Sequence, residues 1–390
     1  MTYAFLRAAA SAAALAALTA LAAVPAHAEP RDPWVRAWGL NGVGQLGNGT
    51  TLDQGTPSAV TGIARNDVRE LAGGGVNSLS SFAVALLQDG TVQSWGGNSN
   101  GQLGDGTTVN RPFPATVAGL SGVSAVAAGG NFAAALWKGR VLAWGANATG
   151  QLGNGATSDL PTTGPVAVQS LSKVRKIAAG CYHVIALRDD GTVWTWGRNH
   201  VGQLGIGSLT DRNTPQKVPG LAGIADVSAG CNHTVALTAE GTVKAWGRNA
   251  DGQLGDDTLT DSSAPVDVRH LRDVAHLDAG AYNNFAVLDD GSVKAWGWNG
   301  SGCLGDGTTV SRHTPIPLPG LSDVRGFASG YEHTLAVLAD GSVLAWGANA
   351  SSQLGDGTAR PSLTPVVTLP PGSGTTRVST SRALHSSYAY

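Results

Sequence analysis

From residue 34 onward, short apolar runs alternate with turn-forming residues. In one stretch, His-x-x-Ala-Leu at residues 183 to 187 is followed by Asp190-Gly191 and then by Val-x-x-Trp-Gly at residues 193 to 197. Two apolar runs joined by Asp-Gly predict adjacent antiparallel strands, because a tight two-residue turn needs the positive φ that Gly adopts without strain. Val-x-x-Ile-Ala-Ala-Gly upstream and Pro-x-x-Val downstream predict two further short strands, and Gly-Gln-Leu-Gly-Asp-Gly-Thr reads as loop.

This unit recurs. Trp-Gly stands at Trp38, Trp95, Trp144, Trp196, Trp246, Trp296 and Trp346, in steps of 57, 49, 52, 50, 50 and 50 residues. Gly-Gln-Leu-Gly or a near copy follows each pair, with Cys303 in place of Gln in one copy, and Ala-Gly-x-x-His-x-x-Ala-Leu precedes most of them. Four strands in about 50 residues match one blade of a β-propeller. The long step holds an insertion near Gly74 to Ser80, and the short step loses a turn residue at Trp137-Lys138-Gly139-Arg140; both changes fall in predicted loops. The stretch from Trp34 to Gly39 reads as a second hairpin strand with no first strand before it, and Val378 to Tyr390 reads as a worn copy of that first strand. Joining them predicts an all-β, seven-bladed propeller over residues 29–390, closed by pairing N- and C-terminal strands. Closure removes exposed sheet edges, whereas an open superhelical stack would need capping repeats.

Composition supports this picture. Gly supplies 55 of 390 residues, about 14% against the usual ~7%, and each Gly inside a helix costs roughly 1 kcal/mol relative to Ala, which excludes a coiled coil or helical array. An apolar content of 42% with a net charge of only -2 excludes a disordered chain, and the absence of a Gly-X-Y period excludes collagen. With 25 Lys plus Arg, 27 Asp plus Glu and no basic run, nucleic acid and anionic membrane surfaces are not the expected partners.

Residues 1–28 differ from the rest. Arg7, the Ala/Leu-rich run from Ala8 to Val24 and Pro25-Ala26-His27-Ala28 form the pattern of a secretory signal cut after Ala28. The mature chain is then expected to be secreted, without a membrane span, and to act as a monomer. Its cysteines are Cys181, Cys231 and Cys303; the first two occupy the same place in successive repeats, so either a bridge between stacked repeats or two buried thiols fits the sequence.

The combined motif Asp-Gly-x-Val-x-x-Trp-Gly-x-Asn-x-x-Gly-Gln-Leu-Gly with Ala-Gly-x-x-His-x-x-Ala-Leu resembles the regulator of chromosome condensation repeat, of a secreted bacterial type, over residues 34 to 390. The resemblance implies a seven-bladed propeller, and distant similarity extends to the secreted β-lactamase inhibitor protein type II. Family activities include guanine-nucleotide exchange on a small GTPase, ultraviolet-B reception through a Trp cluster and enzyme inhibition by binding. Where the receptor carries Trp after Ala-Gly, this chain has Gly130, Cys181, Cys231, Ala281 and Tyr331.

The residues between Ala-Gly and the His position vary while their surroundings repeat, which suits recognition on a rigid frame. They include Asn131, Tyr182, Asn232, Tyr282, Tyr331 and Glu332. In the secreted inhibitor the matching ring is aromatic and contacts its enzyme, which makes Phe132, Tyr182, Tyr282 and Tyr331 the implied anchors for a protein partner; plugging the axial channel is the alternative role. His183, His233 and His333 recur at one position, with Phe132 and Asn283 in its place in two copies. A ring of His could hold a metal, but the Thr following it at Thr234 and Thr334 favours hydrogen bonds that tie strands together. Asp189-Asp190, Asp256-Asp257 and Asp289-Asp290, and Asp105, Asp306 and Asp356 in Gly-Asp-Gly-Thr, suit turn chemistry better than a calcium loop. Trp194 and Trp298 flank repeated Trp-Gly pairs and are candidate surface aromatics. With no nucleophile elbow, phosphate loop, His-Glu-x-x-His or Cys-x-x-Cys, the expectation is a non-catalytic, cofactor-free protein-binding module, with enzyme inhibition or nucleotide exchange as alternatives.

Overall fold

A computed structural model describes residues 34–382 and 385–390; the segment read as a secretory signal lies outside the described residues. Seven four-stranded antiparallel sheets form the propeller. One blade shows how the sequence builds them all. Val174–Ala179 runs nearest the axis, followed outward by His183–Arg188, Val193–Gly197 and Arg212–Lys217. The two middle strands pair from His183 with Gly197 to Leu187 with Val193. Their turn is longer than the two residues expected from Asp-Gly. Arg188 and Thr192 bracket Asp189-Asp190-Gly191, with Gly191 at φ +73° closing a three-residue loop. Asp190 Oδ1 accepts from the Thr192 N–H and hydroxyl, at 3.1 and 2.6 Å, so the carboxylate serves the turn. Only the shortened copy has the two-residue turn: Trp137 pairs with Arg140 across Lys138 and Gly139, both at positive φ.

Blades are latched to one another through the repeated Trp. All seven rings are fully buried, and each indole N–H donates to a backbone carbonyl in the Gly-Gln-Leu-Gly loop of the preceding blade. The acceptors are the carbonyls of Gln353, Gln45, Gln102, Gln151, Gln203, Gln253 and Cys303, at 2.8 to 3.1 Å. The loop is held from within by the Asn after Trp-Gly: Asn199 Oδ1 accepts from Leu204 N at 2.9 Å while Nδ2 donates to the Ser208 and Thr210 carbonyls. Asp105 and Asp306 brace the same loops, accepting from Thr107 and Thr308 and pairing with Arg111 and Arg312 at 2.7 and 2.6 Å.

The recurrent His adds a second tie. His183, His233 and His333 Nε2 meet Thr234 Oγ1, Asn284 Oδ1 and Ser387 Oγ of the following blade at 3.1, 2.9 and 2.9 Å. Thr234 and Ser387 pass the bond on, donating to the carbonyls of Gln203 and Gln353 that also receive the indoles. Among the described residues no group of three or more His, Cys, Asp or Glu could hold a metal ion. Phe132 occupies the His register and is fully buried. Its expected place among surface anchors is therefore corrected: it fills core that His fills elsewhere.

The closing blade is built from both terminal segments, two strands from each. Its order is Gln54–Ala64, Trp34–Gly39, Ser386–Ala389, Val378–Thr380. The C-terminal segment thus supplies the strand nearest the axis as well as its neighbour, where the sequence suggested a single worn strand. Tyr388 secures the join, donating its hydroxyl to the Gln45 carbonyl at 2.7 Å and meeting Trp95 edge to face.

Two outcomes test this frame. Gly205 has φ +69° and its missing Cβ would lie 2.7 Å from the Trp246 indole nitrogen, whereas Gly207, at φ +73°, faces open space. Gly207→Ala should cost about 1–2 kcal/mol of backbone strain, and Gly205→Ala roughly 3 kcal/mol or more because it also displaces the indole; equal costs in urea denaturation would refute the latch. The second outcome concerns acid. Burial, with the neighbouring Arg382 charge at His183, holds the His183 and His333 imidazoles down at about 3, and burial holds His233 at about 4. The same side chains titrate near ~6.5 when unfolded, so below that the unfolded chain takes up protons that the native state refuses. Their stability contribution is full above about pH 6.5 and declines as pH falls toward about 4, by on the order of 3 kcal/mol per His. His183→Asn, copying the residue at Asn283, should flatten the fall of Tm between about pH 7 and about pH 4.5; parallel curves would exclude this origin.

Candidate functional site

At one end of the channel, the residues after Ala-Gly come together as a collar. Backbone bonds run from blade to blade: Gly130 N to the Cys181 carbonyl at 2.8 Å, Cys181 N to Cys231 at 3.2 Å and Cys231 N to Ala281 at 2.8 Å. Cys181 and Cys231, 50 residues apart, form a disulfide within this collar, while Cys303 is a buried free thiol whose pKa burial pushes up to about 12. Val76, from the insertion between the first two strands of its blade, packs against the disulfide.

Above this floor lies a pit of about 360 Å³ lined by Val76, Cys181, Tyr182, Cys231, Asn232, Tyr282 and Tyr331. The aromatics are mutually braced. Tyr282 meets Tyr331 edge to face at 5.2 Å, and Trp298 lies 5.5 Å from Tyr331. Burial raises the Tyr282 phenol's pKa, keeping the ring neutral. Guanidinium groups cover the other faces: Arg198 lies 5.3 Å from the Tyr182 ring and Arg248 5.8 Å from Tyr282. Such contacts contribute ~0.5–1 kcal/mol when exposed and more when desolvated. Their position follows from the strand edge, where Arg198 N bonds the Tyr182 carbonyl and Arg248 N the Asn232 carbonyl, each at 2.9 Å. The buried Asn232 Oδ1 has no hydrogen-bond partner among the described residues.

Of the seven residues nominated from sequence, the pit unites Tyr182, Asn232, Tyr282 and Tyr331. Asn131 and Glu332 lie half-buried outside its lining, the Glu332 carboxylate 3.9 Å from His385 Nε2. Trp298 joins the aromatic cluster, whereas Trp194 packs against a hydrophobic core cluster. Arg198 and Arg248 were missed. Their signal was the residue after Trp-Gly, which varies among Ala146, Arg198, Arg248, Trp298 and Ala348 while its neighbours repeat.

Comparison with known proteins places this architecture. The RCC1-like domain matches residues 34–384. The Ultraviolet-B receptor UVR8 of Arabidopsis thaliana is 31% identical over 184 residues, 47% of this chain and 30% of the receptor. The human E3 ubiquitin-protein ligase HERC2 is 32% identical over 185 residues, 46% of this chain but 4% of the ligase. The chain thus spans less than a third of these relatives' length. Among solved structures, human WBSCR16 superposes with a TM-score of 0.80 at 21% identity, covering 92% of this chain and 98% of its own. Prp20p of Saccharomyces cerevisiae, described with its binding to Gsp1p and histones, gives 0.78 at 22% identity, covering 93% and 92%. At such identities these two structures establish the fold alone. The match over nearly the whole described chain carries the family: this protein belongs to the RCC1-like domain family.

Proposed function

We propose that the chain is an exported, non-catalytic protein-binding propeller whose aromatic pit receives a partner's side chains. The observation that carries this reading is the pit itself: Tyr182, Tyr282, Tyr331 and Trp298 held by neighbours and flanked by Arg198 and Arg248, on a floor fixed by backbone bonds and a disulfide. Tyr, Trp and Arg dominate binding hot spots because they offer large contact area at low entropic cost. The collar has little conformational freedom to lose on binding, which favours affinity. Export rests on the Ala8 to Val24 run and Ala26-His27-Ala28, and the disulfide suits an oxidising compartment.

Protein binding by Prp20p is consistent with this reading and leaves the partner here open. Nucleotide exchange and enzyme inhibition are narrower forms of the same act. No helix among the described residues is long and apolar enough to cross a membrane.

The test is capture of partners from culture medium and cell envelope by the purified full-length protein, followed by affinity measurement on what is retained. Tyr282→Ala should weaken that binding by ~2 kcal/mol or more, the hot-spot scale. Leu160→Ala, on an exposed outer strand, should leave it unchanged. Equal affinity of both variants and the wild type would place the binding surface elsewhere.

A further inference from the structure

The opposite mouth of the channel carries a second feature, independent of the pit. In each blade the inner strand places one residue against the Leu, or its equivalent, of the next strand. This column reads Glu70, Ala125, Lys176, Asp226, His276 and Gly326 around the ring. Arg377 completes it in the closing blade, exchanging backbone bonds with Tyr390.

Blade order makes Arg377, Glu70, Ala125 and Lys176 neighbours. Ala125 and the adjacent Ser124 are short, and a hollow of about 340 Å³ opens over them, flanked by Arg69 and Arg377 on one side and by Arg175 and Lys176 on the other. Four cationic side chains therefore surround one concavity in a chain of net charge -2. Compensation is partial. Lys176 pairs with Asp226, but Arg69, Arg175 and Arg377 make no ion pair among the described residues. Arg175 Nη2 is anchored on the Ile224 and Ala225 carbonyls at 2.9 and 3.1 Å, and Arg377 Nη1 on the Arg69 carbonyl at 3.1 Å. These bonds orient the guanidinium groups without neutralising them. The one carboxylate in the lining, Glu70, accepts at Oε2 from Val126 N at 3.0 Å; burial raises its pKa against the opposing pull of the Arg377, Lys176 and Arg69 charges, which it offsets only in part.

We propose that this hollow is a binding site for a small multivalent oxyanion of phosphate chemistry. Guanidinium forks match phosphate oxygens in pairs, and like charges that two carboxylates, Glu70 and Asp226, compensate only in part are relieved by a polyvalent anion. At ~30 Å³ per water, the hollow holds roughly ten waters, room for a pyrophosphate-sized ligand. Lys176, on the inner strand Val174–Ala179, stands five positions before Cys181, roughly 17 Å of extended chain, so a ligand here does not touch the pit.

Inorganic pyrophosphate, titrated calorimetrically into the full-length protein at fixed ionic strength, tests the site. Saturable binding is expected, weakened at least ~10-fold by the double variant Arg69→Gln, Arg377→Gln. Ser124→Glu, which sets a carboxylate on the exposed floor, should weaken it to a similar degree. Arg360→Gln, on a distant exposed loop, should leave affinity and Tm unchanged. No saturable binding, an equal loss in Arg360→Gln, or unchanged affinity in both niche variants would each overturn the proposal. Tighter binding of a phosphoserine peptide than of pyrophosphate would overturn the small-ligand form in favour of a phosphoprotein.

Discussion

The indole-to-carbonyl latch between neighbouring blades is the contact on which the rest of the molecule depends. A propeller blade shares no strand hydrogen bonds with the next one, so blade-to-blade cohesion rests on apolar packing, which is non-directional, and on the few polar contacts that set registration. The Trp–Gly-Gln-Leu-Gly contact supplies that registration seven times. It needs a buried indole with its N–H aimed at the preceding loop, and a Gly at positive φ where any Cβ would strike the ring, as at Gly205 and Trp246. The His183-to-Thr234 relay ends on the same Gln203 carbonyl, and the buried Asn199 that orders the loop bonds the next backbone N–H, that of Leu204. Because a buried acceptor left without its donor costs about 1–3 kcal/mol, every member of this network constrains the others.

Rigidity at the blade interfaces leaves the loop ends free to differ. The residues after Ala-Gly and after Trp-Gly lie at strand ends, outside the latch, and their side chains can change without loosening a blade. That is where Tyr182, Tyr282, Tyr331, Arg198 and Arg248 stand. The disulfide between Cys181 and Cys231 joins two neighbouring blades within the collar, so the floor of the pit is held by covalent as well as hydrogen bonding.

The fold was legible because its period is carried by residues with strong local preferences. Asp-Gly turns, the Trp-Gly strand end and alternating apolar runs place the strands without knowledge of tertiary contacts. The closing blade was legible only in part: Val378–Thr380 is three residues long, and the motif that would mark it as an inner strand is absent from Thr375-Thr376-Arg377. The Gly-Gln-Leu-Gly stretch looked like ordinary loop, since its importance lies in a partner 42 to 50 residues away, or 315 across the closure. Phe132 was misjudged for a related reason. The variable ring and the His column are adjacent in sequence but differ in depth, and side-chain alternation turns one outward and the next into the core.

The same logic explains how a weakly charged chain can concentrate chemistry. Charged residues make up only 13% of the sequence, because most blade surfaces face other blades and tolerate no charge. The column that holds Lys176 faces the axis instead, where no neighbouring sheet must pack. There the seven copies diverge to Arg, Glu, Ala, Lys, Asp, His and Gly. A repeat whose frame is rigid everywhere else can vary at such a column at little cost in stability. The two ends of the channel are therefore where binding chemistry can accumulate, and both are built from positions at which the repeat stops repeating.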